Sequence, residues 1–168
     1  MTAEAPSEGA LFLARLAVAL IVVFIVLEVV WYGFSVEVHD RIWKDIFDRP
    51  AGPMAFRFIL QPTMALIAAL HDGVRDARLG RSPYLWTILR DPQKRGGRIR
   101  EGLISTSRIV LLGLVMDMIY QYEVLETFYP GEAVLMVLLL ALIPYFVLRG
   151  PIARVARKWV SRPASNQS

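Results

Sequence analysis

The sequence predicts an all-α integral membrane protein with four transmembrane helices, both termini cytoplasmic, an external amphipathic helix and a basic amphipathic C-terminal tail. Three observations carry this prediction. The 168 residues are 55% hydrophobic and only 20% charged, with a mean hydropathy of +0.45, whereas an ordinary soluble domain carries about 25% charged residues. Apolar runs of about bilayer length recur along the chain and leave no stretch for a separate globular domain, so residues 1–168 form a single membrane domain. The basic residues gather in one connection and in the tail.

The first span is residues 10–34, broken only by Arg15 and Glu28; at about 1.5 Å per residue it is long enough for a hydrocarbon core of about 30 Å. Glu4 and Glu8 stand where a cleaved signal peptide carries basic residues, and the run ends in Val29, Val30, Trp31 and Tyr32, so it reads as a retained anchor. Residues 35–49 set Ile42, Trp43, Ile46 and Phe47, with His39, against Glu37, Asp40, Arg41, Lys44, Asp45 and Asp48. That pattern is an amphipathic helix, too polar to span and suited to the membrane surface. The segment RPAGP, 49–53, ends it.

The second span, 54–72, is short and holds Arg57, Gln61 and Pro62. A polar loop, 73–103, follows. Ser82-Pro83 and Asp91-Pro92 read there as helix starts and Gly96-Gly97 as a break, which predicts short surface helices. Within the loop Tyr84, Leu85, Trp86, Ile88 and Leu89 form an apolar set suited to the interface. The third span, 104–122, and the fourth, 133–148, are joined by the turn at Tyr129-Pro130-Gly131 as an antiparallel hairpin. Pro144 frees the carbonyl of Leu140, a candidate kink. Past Gly150-Pro151 the tail, 149–168, alternates Ile152, Val155, Trp159 and Val160 with Arg154, Arg157, Lys158 and Arg162.

Orientation follows from the basic residues. The stretch from His71 to Arg108 holds nine Lys or Arg and the tail from Arg149 holds five. By contrast, Ser35 to Pro53 holds three against four acids, and Tyr122 to Glu132 holds none against three acids. The long loop and the tail are therefore cytoplasmic, and the 35–49 helix is external.

Charged groups inside spans cost about 2.5–3.5 kcal/mol each at a helix centre on insertion scales, so each needs a partner or a purpose. Counting turns puts Glu28 and Arg57 at similar depth, which predicts an ion pair that Gln61, one turn deeper, can join. Asp117 and Gln121 share a face of the third span, with Tyr120 beside them. A polar cluster of Glu28, Arg57, Gln61, Asp117, Tyr120 and Gln121 results, with two acids against one base, so that one carboxyl stays protonated. It reads either as glue between helices or as a proton or ion site.

The string HDGVRDARLGR, 71–81, sits where the second span emerges. Asp72 and Asp76 are four apart, a spacing that would suit a magnesium-bound diphosphate. The motif of the CDP-alcohol phosphotransferases needs a different gap and two later aspartates, which are missing, and prenyltransferase motifs fail too. The remaining reading is an arginine-rich helix end in which Arg75, Arg78 and Arg81, like Arg154, Arg157 and Lys158 in the tail, meet anionic lipid headgroups. His71, Asp72 and Ser105 or Ser107 make a hydrolase triad only on paper.

With no cysteine there are no disulfides, thiolate metal sites or cysteine nucleophiles. The topology separates His39 from His71, so no shared histidine metal site is expected, and no cofactor or catalytic residue is assigned. A net charge of +4 placed beside apolar runs points to anionic lipid and away from nucleic acid. The stretches RFILQP (57–62), DGVRDARLGRSPYLW (72–86), DMIYQ (117–121) and YPGEA (129–133) resemble an uncharacterised family of small multi-pass bacterial inner-membrane proteins. The resemblance implies a four-helix membrane protein and supplies no mechanism. The expected function is a non-enzymatic accessory, scaffold or assembly protein, a homo-oligomer or part of a larger membrane complex. Two alternatives stay open: a small proton- or ion-coupled carrier using the intramembrane acids, and a lipid headgroup enzyme at the cytoplasmic face.

Overall fold

A computed structural model describes residues 6–33 and 35–160. They form six helices: α1 (Glu8–Tyr32), α2 (Val36–Asp48), α3 (Arg57–Arg78), α4 (Tyr84–Arg90), α5 (Pro92–Leu125) and α6 (Pro130–Trp159). The tail beyond, including Arg162, and Phe34 at the end of the first run lie outside the described residues.

Three of the helices, α1, α5 and α6, are long and apolar enough to cross a membrane. They mark the chain as a small helical membrane protein. Ser7 caps α1, its side chain accepting from the Ala10 amide at 3.3 Å, and Gly33 ends it at a φ of 70°. Only Ala14, Ala17, Phe24 and Glu28 of α1 are buried, so most of this helix is free to face lipid. Asp91 caps α5, its carboxylate accepting from the Lys94 amide at 3.2 Å, and Pro92 takes the first helical position. The hydrogen bond from Lys94 holds the Asp91 carboxyl below its usual range.

Helix α3 is different. It is a helix of 22 residues, about 33 Å at 1.5 Å per residue, but it carries Arg57, His71, Asp72, Arg75, Asp76 and Arg78 and is not among the three apolar helices. It runs parallel to the second half of α6: Asp72 meets Tyr145, Asp76 meets Arg149, and Arg81 beyond its end meets Arg157. Helix α5 runs against both, with Asp117 at Arg57 and Arg98 at Asp76.

The close approach of α3 to α6 has a simple cause. Ala65, Ala69, Gly73 and Ala77 recur every four residues on the buried side of α3, and small residues let two helix backbones come together. A Cβ on Gly73 would lie 2.7 Å from Ile152 Cγ2 and 3.1 Å from the Arg149 carbonyl. Two apolar clusters fill the middle of the bundle. Phe24, Val110, Leu114, Val134 and Val137 join α1, α5 and α6, and Ala65, Ala69, Ile109, Ala141 and Tyr145 join α3, α5 and α6.

Two boundaries differ from the sequence expectation. Gly96-Gly97 does not break the chain, because α5 is one helix from Pro92, and the 73–103 segment contains the end of α3, then α4 and the first turns of α5. Likewise α6 runs through Gly150-Pro151, so no separate tail helix begins there. Proline in a helix interior costs about 3 kcal/mol; burial of Tyr145, Arg149 and Ala153 against the rest of the bundle offsets it. The irregularity near Leu140 takes the form of a π-helical turn over Leu138–Leu142.

Candidate functional site

Two ion networks close the two ends of the bundle. The first lies at the α2 end. Asp117 is fully buried at 0% exposure. Its Oδ1 accepts from Arg49 at 2.5 Å and from Arg57 at 2.7 Å, and its Oδ2 accepts from Gln121 at 2.6 Å. Arg49 also donates to Glu132 at 2.5 Å. Arg41 donates to Glu28 at 3.1 Å, and Glu28 accepts from the Gly131 amide at 2.9 Å. Gln121 closes the α5–α6 turn by exchanging hydrogen bonds with Tyr129, as acceptor at 2.6 Å and donor at 3.0 Å.

Three acids, Glu28, Asp117 and Glu132, thus meet three arginines, Arg41, Arg49 and Arg57. Arg49 Nε, Arg57 Nε, Arg57 Nη2 and Gln61 Oε1 have no hydrogen-bond partner among the described residues. The Tyr120 ring stands in for some of these bonds, lying 4.9 Å from the Arg49 guanidinium and 4.6 Å from that of Arg57.

Of the six residues expected to cluster, the structure gathers Arg57, Asp117, Tyr120 and Gln121 around one point. Gln61 is buried one turn away against Gly113. Glu28 is not paired with Arg57 but with Arg41, because α2 lies across the bundle end and turns Arg41 inward. The count of two acids against one base is also corrected. Arg41, Arg49 and Glu132 join the set, three acids against three arginines. By its pattern Arg41 falls on the polar face of the amphipathic 35–49 helix and Arg49 in the RPAGP break. Only their spacing, eight residues with Ile46 between them on the buried side, could have signalled otherwise.

The second network lies at the α4 end and centres on Asp76, which is 1% exposed. Its Oδ1 accepts from Arg98 at 2.9 Å and its Oδ2 from Arg149 at 2.9 Å. Tyr145 donates to Asp72 at 2.5 Å and accepts from Arg149 at 2.6 Å. Glu101 faces Arg81 at 3.0 Å, Arg98 at 3.1 Å and Arg149 at 3.1 Å. Three acids again meet three arginines. Tyr84 lies over the network, with the Arg149 guanidinium 4.2 Å from its ring. Burial raises the Tyr84 hydroxyl above the usual phenol range, so it stays protonated and donates to the Arg98 carbonyl at 2.6 Å.

Asp72 and Asp76 are therefore held by Tyr145, Arg98 and Arg149. His71 lies 3.5 Å from Asp72, and among the described residues no hydrogen bond joins it to Ser105 or Ser107. Nor do three His, Asp or Glu side chains gather as a metal site among the described residues. Of the basic residues expected at headgroups, Arg78, Arg154 and Lys158 are exposed and Arg75 is half-buried. Arg81 belongs to the network, and Arg157 donates to its carbonyl at 2.6 Å.

Beside this network a groove of about 1560 Å³ opens between α3 and α5, with α4 along one side and the start of α1 near it. Its walls are apolar at Met64, Ile67 and Ile109, and basic at Arg75, Lys94, Arg100 and Arg108. Comparison with protein-family models, with curated proteins and with solved structures finds no match. What stands is a small helical protein with three long apolar helices, and no family is identified.

Proposed function

We propose that the chain is a four-span, non-enzymatic component of the bacterial inner membrane, an accessory, scaffold or assembly protein acting through helix packing and lipid contacts. One observation carries the reading. Every buried carboxylate in the two networks is matched by an arginine, three against three at each end. Buried charges paired in this way fix how helices meet. Helix α3 serves as the fourth span. Its length suffices for a core of about 30 Å, and most of its charges fall at its two ends, within the networks.

The orientation with both termini cytoplasmic rests on the basic α3–α5 connection. Reporter fusions after Pro92 are expected to read cytoplasmic and fusions after Gly52 external. An external reading at Pro92 overturns the topology. Vesicles reconstituted with the protein are expected to show no proton or ion flux above empty vesicles; a flux that depends on the protein overturns the scaffold reading in favour of a carrier.

A further inference from the structure

We propose that the groove between α3 and α5 binds one anionic phospholipid, its acyl chain against the apolar walls and its phosphate among the arginines. The groove, about 1560 Å³, exceeds the about 300–1,000 Å³ of pockets for drug-sized ligands. Its polarity is graded. Met64, Ile67 and Ile109 line one part and Arg75, Lys94 and Arg100 another, so a ligand that fills it must be both apolar and anionic. A free phosphate leaves the apolar wall uncovered, as does an acidic peptide.

Charge points the same way. The acids that line the groove are already engaged, Asp91 by Lys94 and Asp72 and Glu101 by Arg81, Arg98 and Arg149. Arg75, Arg100 and Arg108 line the same groove, and their side chains have no hydrogen bond or ion pair among the described residues. Arg108 lies on α5 within the expected span and is exposed on the bundle surface, where in hydrocarbon an unpaired guanidinium is costly. A lipid phosphate supplies the missing anion, and Arg recognises phosphate oxygens in a bidentate fork.

The proposal rests on the reading above only in naming the leaflet, which is cytoplasmic if the α4 end is inside. Binding is therefore measured on the full chain in mild detergent, where insertion plays no part; a reversed topology would fail the fusions and leave this result standing. Native mass spectrometry is expected to show phosphatidylglycerol retained in preference to phosphatidylcholine. Each arginine near an anionic surface contributes about fivefold, so Arg75→Gln, Arg100→Gln and Arg108→Gln together should weaken retention by about a hundredfold. Removing three exposed cations elsewhere, by Arg78→Gln, Arg154→Gln and Lys158→Gln, should change it little. Ala68→Phe narrows the groove without touching charge and should also lower retention, with the melting temperature showing that the fold is kept. Equal retention of the two lipids, equal loss in both triple variants, or displacement of the lipid by glycerol phosphate as readily as by phosphatidylglycerol would overturn the proposal.

Discussion

The two ion networks have the same charge count and different construction. At the α2 end, the acids come from α1, α5 and α6, and two of the three arginines come from a segment lying across the bundle, Arg41 in α2 and Arg49 just after it. At the α4 end, two acids come from one helix, α3, and the arginines from α5, α6 and the segment after α3. The difference is redundancy. Among the described residues Asp117 is the only carboxylate on Arg57 and shares Arg49 with Glu132, whereas Glu101 faces the same three arginines that surround Asp76. One end has an arginine with a single partner, and the other is a mesh.

The largest expected effect breaks that contrast directly. Asp117→Asn leaves Arg49 its partner Glu132 but strands the buried Arg57, and stranding a buried charge costs about 3–5 kcal/mol. Asp76→Asn removes a carboxylate from three arginines, but Arg81, Arg98 and Arg149 all keep Glu101, so its cost should fall at the low end, about 3 kcal/mol. Thermal unfolding of both variants in the same detergent checks the order. If Asp76→Asn is the more damaging, the redundancy assigned to Glu101 is wrong.

Part of this was legible in the sequence. The apolar runs of α1, α5 and α6 are long enough to declare themselves, and Asp91-Pro92 marks the start of α5 because an acceptor side chain followed by a residue without an amide hydrogen suits only a helix N-terminus. The residues Arg57, Asp117, Tyr120 and Gln121 were found by depth and face alone. What stayed hidden is tertiary. Whether Arg41 points to water or to Glu28 depends on where α2 lies, and no periodicity within 35–49 encodes that. Gly96-Gly97 and Gly150-Pro151 look like breaks because glycine costs about 1 kcal/mol in a helix and proline about 3. Packing of neighbouring residues, Arg98 and Gly102 in one helix and Arg149 and Ala153 in the other, overrides the local cost.

A middle-sized effect tests what lies between the two networks. Gly73 sits where α3 meets α6, and a methyl group there would lie 2.7 Å from Ile152 Cγ2 and 3.1 Å from a backbone carbonyl. The side chain can rotate but the carbonyl cannot, so Gly73→Ala should cost about 1–3 kcal/mol through a shift of the helix pair. Because Asp72 and Asp76 flank this position, the shift should loosen the α4-end network and leave the α2 end alone. Hydrogen exchange that rises near Arg149 and not near Asp117 is the expected pattern; equal rises at both ends would mean that the bundle answers as one unit.

The smallest expected effect concerns the outermost pair, Arg41 and Glu28, whose side chains are 24% and 10% exposed. Partial solvent screening reduces such a pair to about 0.5–1 kcal/mol. A single substitution would mislead, because the Arg41 guanidinium also lies 3.7 Å from the Tyr129 ring and its Nε lies 3.4 Å from Glu132. Arg41→Gln alone removes all of these, along with its contact to the Tyr32 ring at 4.9 Å. A double-mutant cycle with Glu28→Gln isolates the pair, since the ring and Glu132 terms appear in both Arg41 variants and cancel. A coupling of about 0.5–1 kcal/mol would mean that α2 is fastened mainly by the deeper Arg49, with Arg41 adding orientation. A coupling of about 3 kcal/mol or more would instead make α2 an equal partner in closing this end, and the α2-end network would then be as redundant as the other.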